Sequence, residues 1–371
     1  MSKKTFILGQ YISGHLPPAP VKVAQRIFDE LTKQKYDVTF IEYFYDGRKH
    51  SIFTKLFGYE IIFTNTSGKL LRLGIIRFAL LLLRARPDIV HIITFERFPL
   101  IAFLLRPFLN YKIVYSIHGV SKYERNLNSI KPSKAYLLKE NLSNFIYYYF
   151  SDTLLFLSED SVKIARRYYK LKADKIKIIE NGIDSCFNQS YIIGSRNNSN
   201  KNKAVFIGDI GRKEKGLEFL LEVLNGLDLS LELYIIGTGY NKDKISCGNK
   251  TINISIINKM EEPDLVEFYR DKNIFISTSL HDSFGIAAVE AMAAGLIPVV
   301  SANTGMSRHI KQGINGFTFK YGEKEELNKI LTQILRDDKL QERLSQEAAK
   351  IYEKLSWEKV SEMYQEIYNL S

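Results

Sequence analysis

The stretch Ser277–Ser301, S-T-S-L-H-D-S-F-G-I-A-A-V-E-A-M-A-A-G-L-I-P-V-V-S, decides the fold. An apolar strand-like run ends at its start, Gly285 opens a helix-like run of small residues, and the apolar run Ile297–Ser301 follows. Strand, loop, helix and strand in this order predict a parallel α/β unit. In such sheets, ligands lie beyond the carboxyl ends of the strands, where helix N-termini attract anions. The segment therefore predicts a phosphate site at the helix start.

Two carboxylates flank this predicted helix start. At about 1.5 Å per residue, Glu290 lies roughly 8 Å beyond Gly285, within reach of a ribose whose hydroxyls a carboxylate can accept. Asp282, in the loop, is free to face a sugar on the other side of the phosphates. The alternative is a tightly packed alanine-rich helix on which Glu290 is only a solvated side chain.

Both halves of the chain repeat the strand and helix rhythm, which predicts an α/β fold of two Rossmann-like domains with a cleft between them. The predicted strands are Phe6–Leu8, Val38–Tyr43, Ile89–Ile93, Ile113–Ile117, Leu154–Leu157, Ala204–Ile207, Glu232–Ile236, Ile252–Ile257, Ile274–Thr278 and Ile297–Ser301. We predict domains over 1–187 and 204–350, and a linker over 188–203, which is rich in Asn, Ser and Lys. Residues 351–371 are predicted as a C-terminal helix that packs toward the first domain, with a break near Leu355–Trp357.

Bulk properties exclude several classes of protein. The 371 residues include only two cysteines, Cys186 and Cys247, too few for a disulfide framework and without zinc-site spacing, so a cytoplasmic setting is expected. Leu70–Arg86 is the most apolar region, but three arginines interrupt it, so no transmembrane helix is predicted. Residues 1–190 hold 29 Lys/Arg and 16 Asp/Glu, a net charge of +13, whereas residues 191–371 hold 23 and 25, a net of −2.

The central segment resembles the signature of the retaining GT-B glycosyltransferases of family four, of the bacterial surface-glycan type. The matching residues are Phe284-Gly285, Glu290-Ala291-Met292-Ala293-Ala294-Gly295 and Pro298-Val299-Val300. Asp282 departs from the pattern, because the family usually has Glu there. The resemblance implies that Asp282 and Glu290 are catalytic-site residues and that Ser283, Phe284, Gly285, Ile286 and Glu290 bind the donor.

Other segments fall where this resemblance requires them. Gly208, Arg212 and Lys215 lie in F-I-G-D-I-G-R-K-E-K-G, which is similar to the family's diphosphate-binding turn, although Asp209 occupies the usual Arg position. We expect Arg212 to replace that arginine. The same comparison implies donor-binding roles for Gly14, Gly237 and Met260 and a catalytic-site role for His118. Arg308 stands where the family usually has Glu.

The resemblance implies transfer of a hexose or N-acetylhexosamine from a UDP- or GDP-linked sugar to a glycan or lipid-linked glycan, with retention of configuration. No Asp-x-Asp motif is present, so we expect neither a metal nor another cofactor; the nucleotide sugar is a substrate. The alternative is a nucleotide-sugar or glycan-binding protein of the same fold that has little or no turnover.

The basic first half has three interpretations: an ordinary solvated surface, a nucleic-acid site, or an anionic membrane surface. No nucleic-acid recognition motif supports the second, so no nucleic-acid partner is expected. Leu70–Arg86, Arg97–Phe108 and Tyr136–Phe150 combine apolar and basic residues, as peripheral membrane proteins do. Buried helices are the alternative for Leu70–Leu83. We therefore expect a cytoplasmic protein that can lie on the inner face of the cell membrane.

Overall fold

The computed structural model describes residues 3–10, 19–43, 51–62, 68–93, 99–129, 131–188, 202–239 and 245–370. The chain forms two compact units. The first contains residues 1–120, 131–182 and 357–371, and the second contains residues 121–130 and 183–356. These limits stand beside predicted limits of 1–187 and 204–350; most of the predicted linker, residues 189–201, lies outside the described residues.

The first unit is built on an eight-stranded sheet in the order β3-β4-β2-β1-β5-β6-β7-β8. All of its neighbours pair in parallel except β3 and β4. Every strand predicted in the first half is present, although those predicted as Ile89–Ile93 and Leu154–Leu157 each end one residue early. Among the described residues, four strands were not predicted: Tyr59–Ile62, Lys69–Leu73 and Ile176–Ile178 in this sheet and Phe317–Phe319 in the second unit. The strands are β1 Thr5–Leu8, β2 Val38–Tyr43, β3 Tyr59–Ile62, β4 Lys69–Leu73, β5 Ile89–Ile92, β6 Lys112–Ile117, β7 Thr153–Phe156 and β8 Ile176–Ile178.

Helices cover both faces of this sheet. They are α1 Ala19–Lys33, α2 Ile52–Phe57, α3 Ile75–Ala85, α4 Leu100–Leu109, α6 Lys134–Phe150, α7 Glu159–Arg166 and the C-terminal α14 Trp357–Leu370. The crossover through α1 runs from β1 to β2, and that through α3 runs the opposite way along the sheet, from β4 to β5. Because both crossovers are expected to be right-handed, the two helices lie on opposite faces. α1 packs with α14, whereas α2, α3, α4 and α6 contact one another in sequence and form one layer.

The interpretation of Leu70–Leu83 as a buried helix was wrong. Its first part is strand β4 and its second part is α3, of which only Phe78 and Leu82 are buried. The two elements join at Gly74, where a Cβ would lie 2.6 Å from the carbonyl of Leu56. This close approach of two backbones allows the chain to turn from strand to helix within one residue.

The C-terminal helix α14 completes the core of the first unit. Trp357 packs on Gly182, where a Cβ would lie 2.3 Å from the indole ring. Further along α14, the Tyr368 hydroxyl lies 2.7 Å from Nδ1 of the fully buried His91, whose Nε2 lies 2.8 Å from the Ser116 hydroxyl. The predicted helix break is confirmed at Ser356, between α13 and α14.

The second unit contains a six-stranded, all-parallel sheet in the order β11-β10-β9-β12-β13-β14. Its strands are β9 Lys203–Ile207, β10 Leu231–Ile236, β11 Ile252–Ile257, β12 Ile274–Ser277, β13 Ile297–Ser301 and β14 Phe317–Phe319. Its helices are α5 Ser121–Leu127, α8 Leu217–Asn225, α9 Glu262–Tyr269, α10 Ile286–Ala293, α11 Lys324–Arg336, α12 Asp338–Ala349 and α13 Ile351–Leu355. This is the Rossmann order, and it reverses between β9 and β12. The loops that follow these two strands therefore lie side by side, where a ligand site is expected.

Candidate active site

The loop after β12, residues 278–285, leads into α10 through Gly285. Gly285 has φ +87°, a left-handed conformation that favours glycine. The side of the loop is closed by a second segment, since Gly305 N donates to the Asp282 carbonyl (2.8 Å) and Met306 N donates to the Phe284 carbonyl (2.7 Å). The predicted phosphate position at the start of α10 is thus bordered by the backbone of these two segments. Ser283 and Phe284 are buried there, and Ile286 is half-buried.

The lysine turn, residues 211–216, follows β9 and is fixed to this loop. The Thr278 hydroxyl donates to the Gly216 carbonyl (2.8 Å), and Leu280 N donates to the Glu214 carbonyl (2.7 Å). Gly216 has φ +71°, and a Cβ on it would lie only 2.0 Å from the Thr278 carbonyl oxygen. Only glycine allows the two backbones to come this close.

This docking brings two predicted site residues together. Lys215 Nζ donates to Asp282 Oδ2 at 2.9 Å, and Phe284 N donates to the other carboxylate oxygen at 3.2 Å. Burial alone would raise the pKa of Asp282, but the Lys215 ammonium and these hydrogen bonds lower it overall. The Asp282 charge in turn raises the pKa of Lys215. At neutral pH, the pair is an ammonium beside a carboxylate.

Arg212, the other predicted phosphate ligand, is paired with carboxylates. Its Nη2 contacts Glu214, whose side chain is 3% exposed, and lies 3.8 Å from Glu124 Oε2. The sequence did not single out either glutamate. Glu124 comes from α5, which follows His118 in the chain yet belongs to the second unit.

The predicted glycines Gly208 and Gly237 allow two loops to interlock. A Cβ on Gly237 would lie 1.8 Å from the Gly208 carbonyl oxygen, and one on Gly208 would lie 3.3 Å from Cγ of Lys215. Ile210 N also donates to the Thr238 carbonyl at 2.9 Å. These contacts explain why both positions are glycine: the loops after β9 and β10 touch, and the Lys215 stem passes over one of them.

Glu290 lies in the second turn of α10 and is 6% exposed. It is close enough to Tyr269 for its charge to add to the effect of burial, and together they raise the pKa of Tyr269 well above its ordinary value. Tyr269 is fully buried, and its hydroxyl has no hydrogen-bond partner among the described residues. Tyr269 is a neighbour of the site that no sequence motif indicated. The alternative interpretation, in which Glu290 is only a solvated side chain, was wrong.

The remaining predicted site residues are Met260, His118 and Gly14. Met260 is half-buried after β11, which is three strand spacings, about 14 Å, from β12. His118, in the first unit, directly follows β6. Its Nε2 is buried with no hydrogen-bond partner among the described residues, and burial lowers the pKa of the ring to about 4, so the ring is neutral at pH 7. Gly14 lies outside the described residues.

Two further observations concern metal binding and membrane-spanning helices. Within the described ranges, no three His, Cys, Asp or Glu side chains are grouped so that they could hold a metal ion. The described helices also include none that is both long and apolar enough to cross a bilayer.

Known proteins resemble this chain over most of its length. A model described as "Glycosyltransferase Family 4" matches residues 21–186, and one described as "Glycosyl transferases group 1" matches residues 189–351. An uncharacterized glycosyltransferase of Methanocaldococcus jannaschii is 23% identical over 62% of this chain and 71% of its own length. A phosphatidyl-myo-inositol mannosyltransferase of Mycobacterium leprae is 26% identical over 44% of this chain and 45% of its own length. The structure of Anabaena HepE in complex with UDP-glucose superimposes with a TM-score of 0.69 and 15% identity, covering 99% and 100% of the two chains.

Proposed function

The chain belongs to the family-four type of GT-B glycosyltransferases, and on that premise we propose that it transfers a hexose or N-acetylhexosamine from a UDP- or GDP-linked donor, with retention of configuration. The acceptor in this proposal is a glycan or lipid-linked glycan of a surface polysaccharide. The observation that carries the proposal is the Lys215–Asp282 ion pair at 2.9 Å, placed beside the N-terminus of α10 at the reversal point of the sheet. Anabaena HepE, of similar fold, binds UDP-glucose.

The charges of the site suit departure of a nucleoside diphosphate. Transfer develops negative charge on the leaving diphosphate, and the Lys215 ammonium, the Arg212 guanidinium and the free N–H groups at the start of α10 are the groups that stabilise it. Asp282 accepts a hydrogen bond from a hydroxyl of the donor sugar, and Glu290 accepts hydrogen bonds from hydroxyls of the ribose. His118 remains a candidate on the strength of its sequence motif. Because two cations face the diphosphate, we include independence of divalent metals in the proposal.

Glu290→Gln tests the donor site, and the exposed Glu325→Gln is its control. A panel of UDP- and GDP-sugars is assayed for release of the nucleoside diphosphate, with and without EDTA. We expect Glu290→Gln to lower kcat/KM about 10- to 100-fold, the effect of losing a charged hydrogen bond, while Glu325→Gln and EDTA leave it unchanged. Equal rates for the two variants would remove Glu290 from the site.

The rival function is a binding protein without turnover, which the departures at Asp282, Asp209 and Arg308 favour. Nucleotide sugars would then raise the melting temperature of the protein, because they bind the folded state, yet no nucleoside diphosphate would be released in the presence of any glycan acceptor. The same panel therefore separates the two functions.

The exposed apolar residues of the first unit support the proposal that the acceptor is membrane-bound. Of the eighteen large apolar side chains that are exposed among the described residues, fifteen lie on α2, β3, α3, α4 and α6. We call this set the apolar-basic face. Its members are Ile52, Phe53, Phe57, Tyr59, Ile61, Leu80, Leu83, Leu104, Phe108, Tyr136, Leu138, Leu142, Phe145, Tyr149 and Phe150.

The charges on this face are complementary to an anionic bilayer. Helices α2, α3 and α4 contain no acidic residue, and the one acidic residue of α6, Glu140, is buried. Glu60 on β3 is paired with Arg72 at 2.9 Å. The same four helices carry Lys55, Arg77, Arg84, Arg106, Lys134 and Lys139. Apolar side chains that enter the headgroup region and cations that meet anionic lipid would act together, so the proposal assigns this face to an anionic membrane and the enzyme to its cytoplasmic side.

Sedimentation with vesicles tests the membrane assignment. Leu104 and Phe108 are 68% and 80% exposed and lie four residues apart, on one side of α4. We expect binding to phosphatidylcholine vesicles only when they contain phosphatidylglycerol, and a loss of at least about tenfold in the double variant Leu104→Ser/Phe108→Ser. Ile314→Ser, at an exposed apolar residue of the second unit, should bind as the wild type does. Dimerisation without vesicle binding would instead assign the face to a second copy of the chain.

A further inference from the structure

Helix α5 is a short segment of the second unit that no sequence motif marks. The edge of the Tyr123 ring meets the ring of His281, with 5.0 Å between centroids and an interplanar angle of 87°. His281 directly precedes Asp282 in the loop after β12. The helix is thereby held against the candidate donor site, and Glu124, the next residue, faces the lysine turn.

Glu124 joins a cluster with an excess of negative charge. The charged groups that act on it are the cations Arg212 and Lys215 and the carboxylates Glu214 and Asp282. Lys122 and Arg125 flank it on α5, and His281 acts on Asp282 from the loop. With all groups ionised, three carboxylates surround two cations. One Glu214 oxygen contacts Arg212, while the other, Oε2, is buried and has no hydrogen-bond partner among the described residues.

A diphosphate adds negative charge to this cluster, which favours the neutralisation or displacement of one of its carboxylates. Asp282 is unsuited to this, because Lys215 and Phe284 N hold its pKa low. Glu124 is suited to it. Burial is the largest cause that raises the pKa of Glu124, and the charges of Glu214 and Asp282 raise it further. The cations Arg212 and Lys215 lower it, but the net shift is upward.

We propose that Glu124 takes up one proton from solvent when the diphosphate of a nucleotide sugar binds, and that Arg212, still paired with Glu214, then has one carboxylate fewer competing with the diphosphate. Glu124 is then a positioning residue that couples donor binding to pH. In the free protein its carboxylate lies 3.8 Å from the guanidinium and competes with the donor for it. The inference rests on the proposed function, because it requires that a nucleotide sugar binds here.

Calorimetry with UDP-glucose, UDP-N-acetylglucosamine and GDP-mannose measures the proton directly. Each titration is repeated between pH 5.5 and 8.0 in two buffers of different ionisation enthalpy. These diphosphate diesters have no proton to exchange in this range, so protons taken up come to the protein. We expect uptake approaching one proton. Where uptake is complete, the affinity should fall by about tenfold for each unit by which the pH rises. Glu124→Gln should abolish the uptake and flatten the pH profile; the exposed Glu267→Gln should change neither.

The outcomes separate this inference from the proposed function. If none of the three nucleotide sugars binds, both are overturned. Binding by the wild type without proton uptake overturns the role of Glu124 alone, and this result needs no variant to fold. Uptake that persists in a folded Glu124→Gln protein would place the proton on another group, His281 included, and would also overturn it.

Discussion

Replacing Gly216 by alanine tests whether the contact between the lysine turn and the loop after β12 builds the donor site. Gly313→Ala is a matched control within the same unit. Both glycines have φ +71°, but a Cβ on Gly216 would lie 2.0 Å from the Thr278 carbonyl oxygen, whereas the nearest atom to one on Gly313 is 4.0 Å away. The pair of variants therefore shares the backbone strain and differs in the close approach.

The magnitudes follow from these two terms. A left-handed conformation costs an L-residue about 1 to 2 kcal/mol, and this cost lowers the free energy of unfolding of both variants. An ordinary carbon–oxygen contact is about 3.3 Å, so Gly216→Ala must move the two backbones apart by more than 1 Å. Such overpacking costs about 1 to 3 kcal/mol more. At roughly 2 to 4 °C per kcal/mol, we expect Gly216→Ala to melt roughly 2 to 12 °C below Gly313→Ala.

The functional effect should follow the same division. Moving the turn draws Lys215 away from Asp282, and we expect the donor dissociation constant to rise at least about tenfold in Gly216→Ala, which corresponds to about 1.4 kcal/mol. Gly313→Ala should bind the donor as the wild type does. Thermal melting and titration with the donor identified in the panel measure both effects. Equal melting temperatures and equal affinities in the two variants would refute the reasoning.

Three further predictions concern single groups. Tyr368→Phe leaves His91 Nδ1 buried without its partner and should cost about 1 to 3 kcal/mol in urea unfolding, whereas Tyr36→Phe, which removes an exposed hydrogen bond, should cost less than 1 kcal/mol. The pKa of His91 is lowered to about 3, mainly by burial. The unfolded chain therefore binds more protons than the folded one between about pH 6.5 and 3, and the unfolding free energy should fall as pH falls through this range, which urea midpoints at pH 7 and 5 will show. Lys215→Met removes the cation that lowers the pKa of Asp282 and should weaken donor binding at least about tenfold in calorimetry.

The arrangement of the candidate site was predictable only in part, and the reason differs from residue to residue. The sequence singled out Asp282 and Glu290 as candidates because strand, glycine and helix follow one another within a few residues. Lys215 became a candidate through the resemblance of its turn to the family's diphosphate-binding turn. Tyr269 could not be found in this way, because it reaches Glu290 only through the packing of α9 near α10. Arg212 was correctly placed in the turn, but its pairing with Glu214 depends on the side-chain conformation that the folded turn imposes.

The sequence by itself determined that both halves of the chain are α/β units with mainly parallel strands, and it located the glycine turns, because hydrophobic periodicity and backbone preference act over short stretches of chain. Only the folded structure showed that the second sheet reverses its strand order between β9 and β12. Only the tertiary structure decided that Ser121–Ile130 belongs to the second unit and that Glu124 faces Arg212, residues 88 positions apart. It also decided that α4 leaves Leu104 and Phe108 exposed, although the helix is apolar on nearly every side. Which face of such a helix is covered depends on the elements that pack against it, and local sequence carries no record of them.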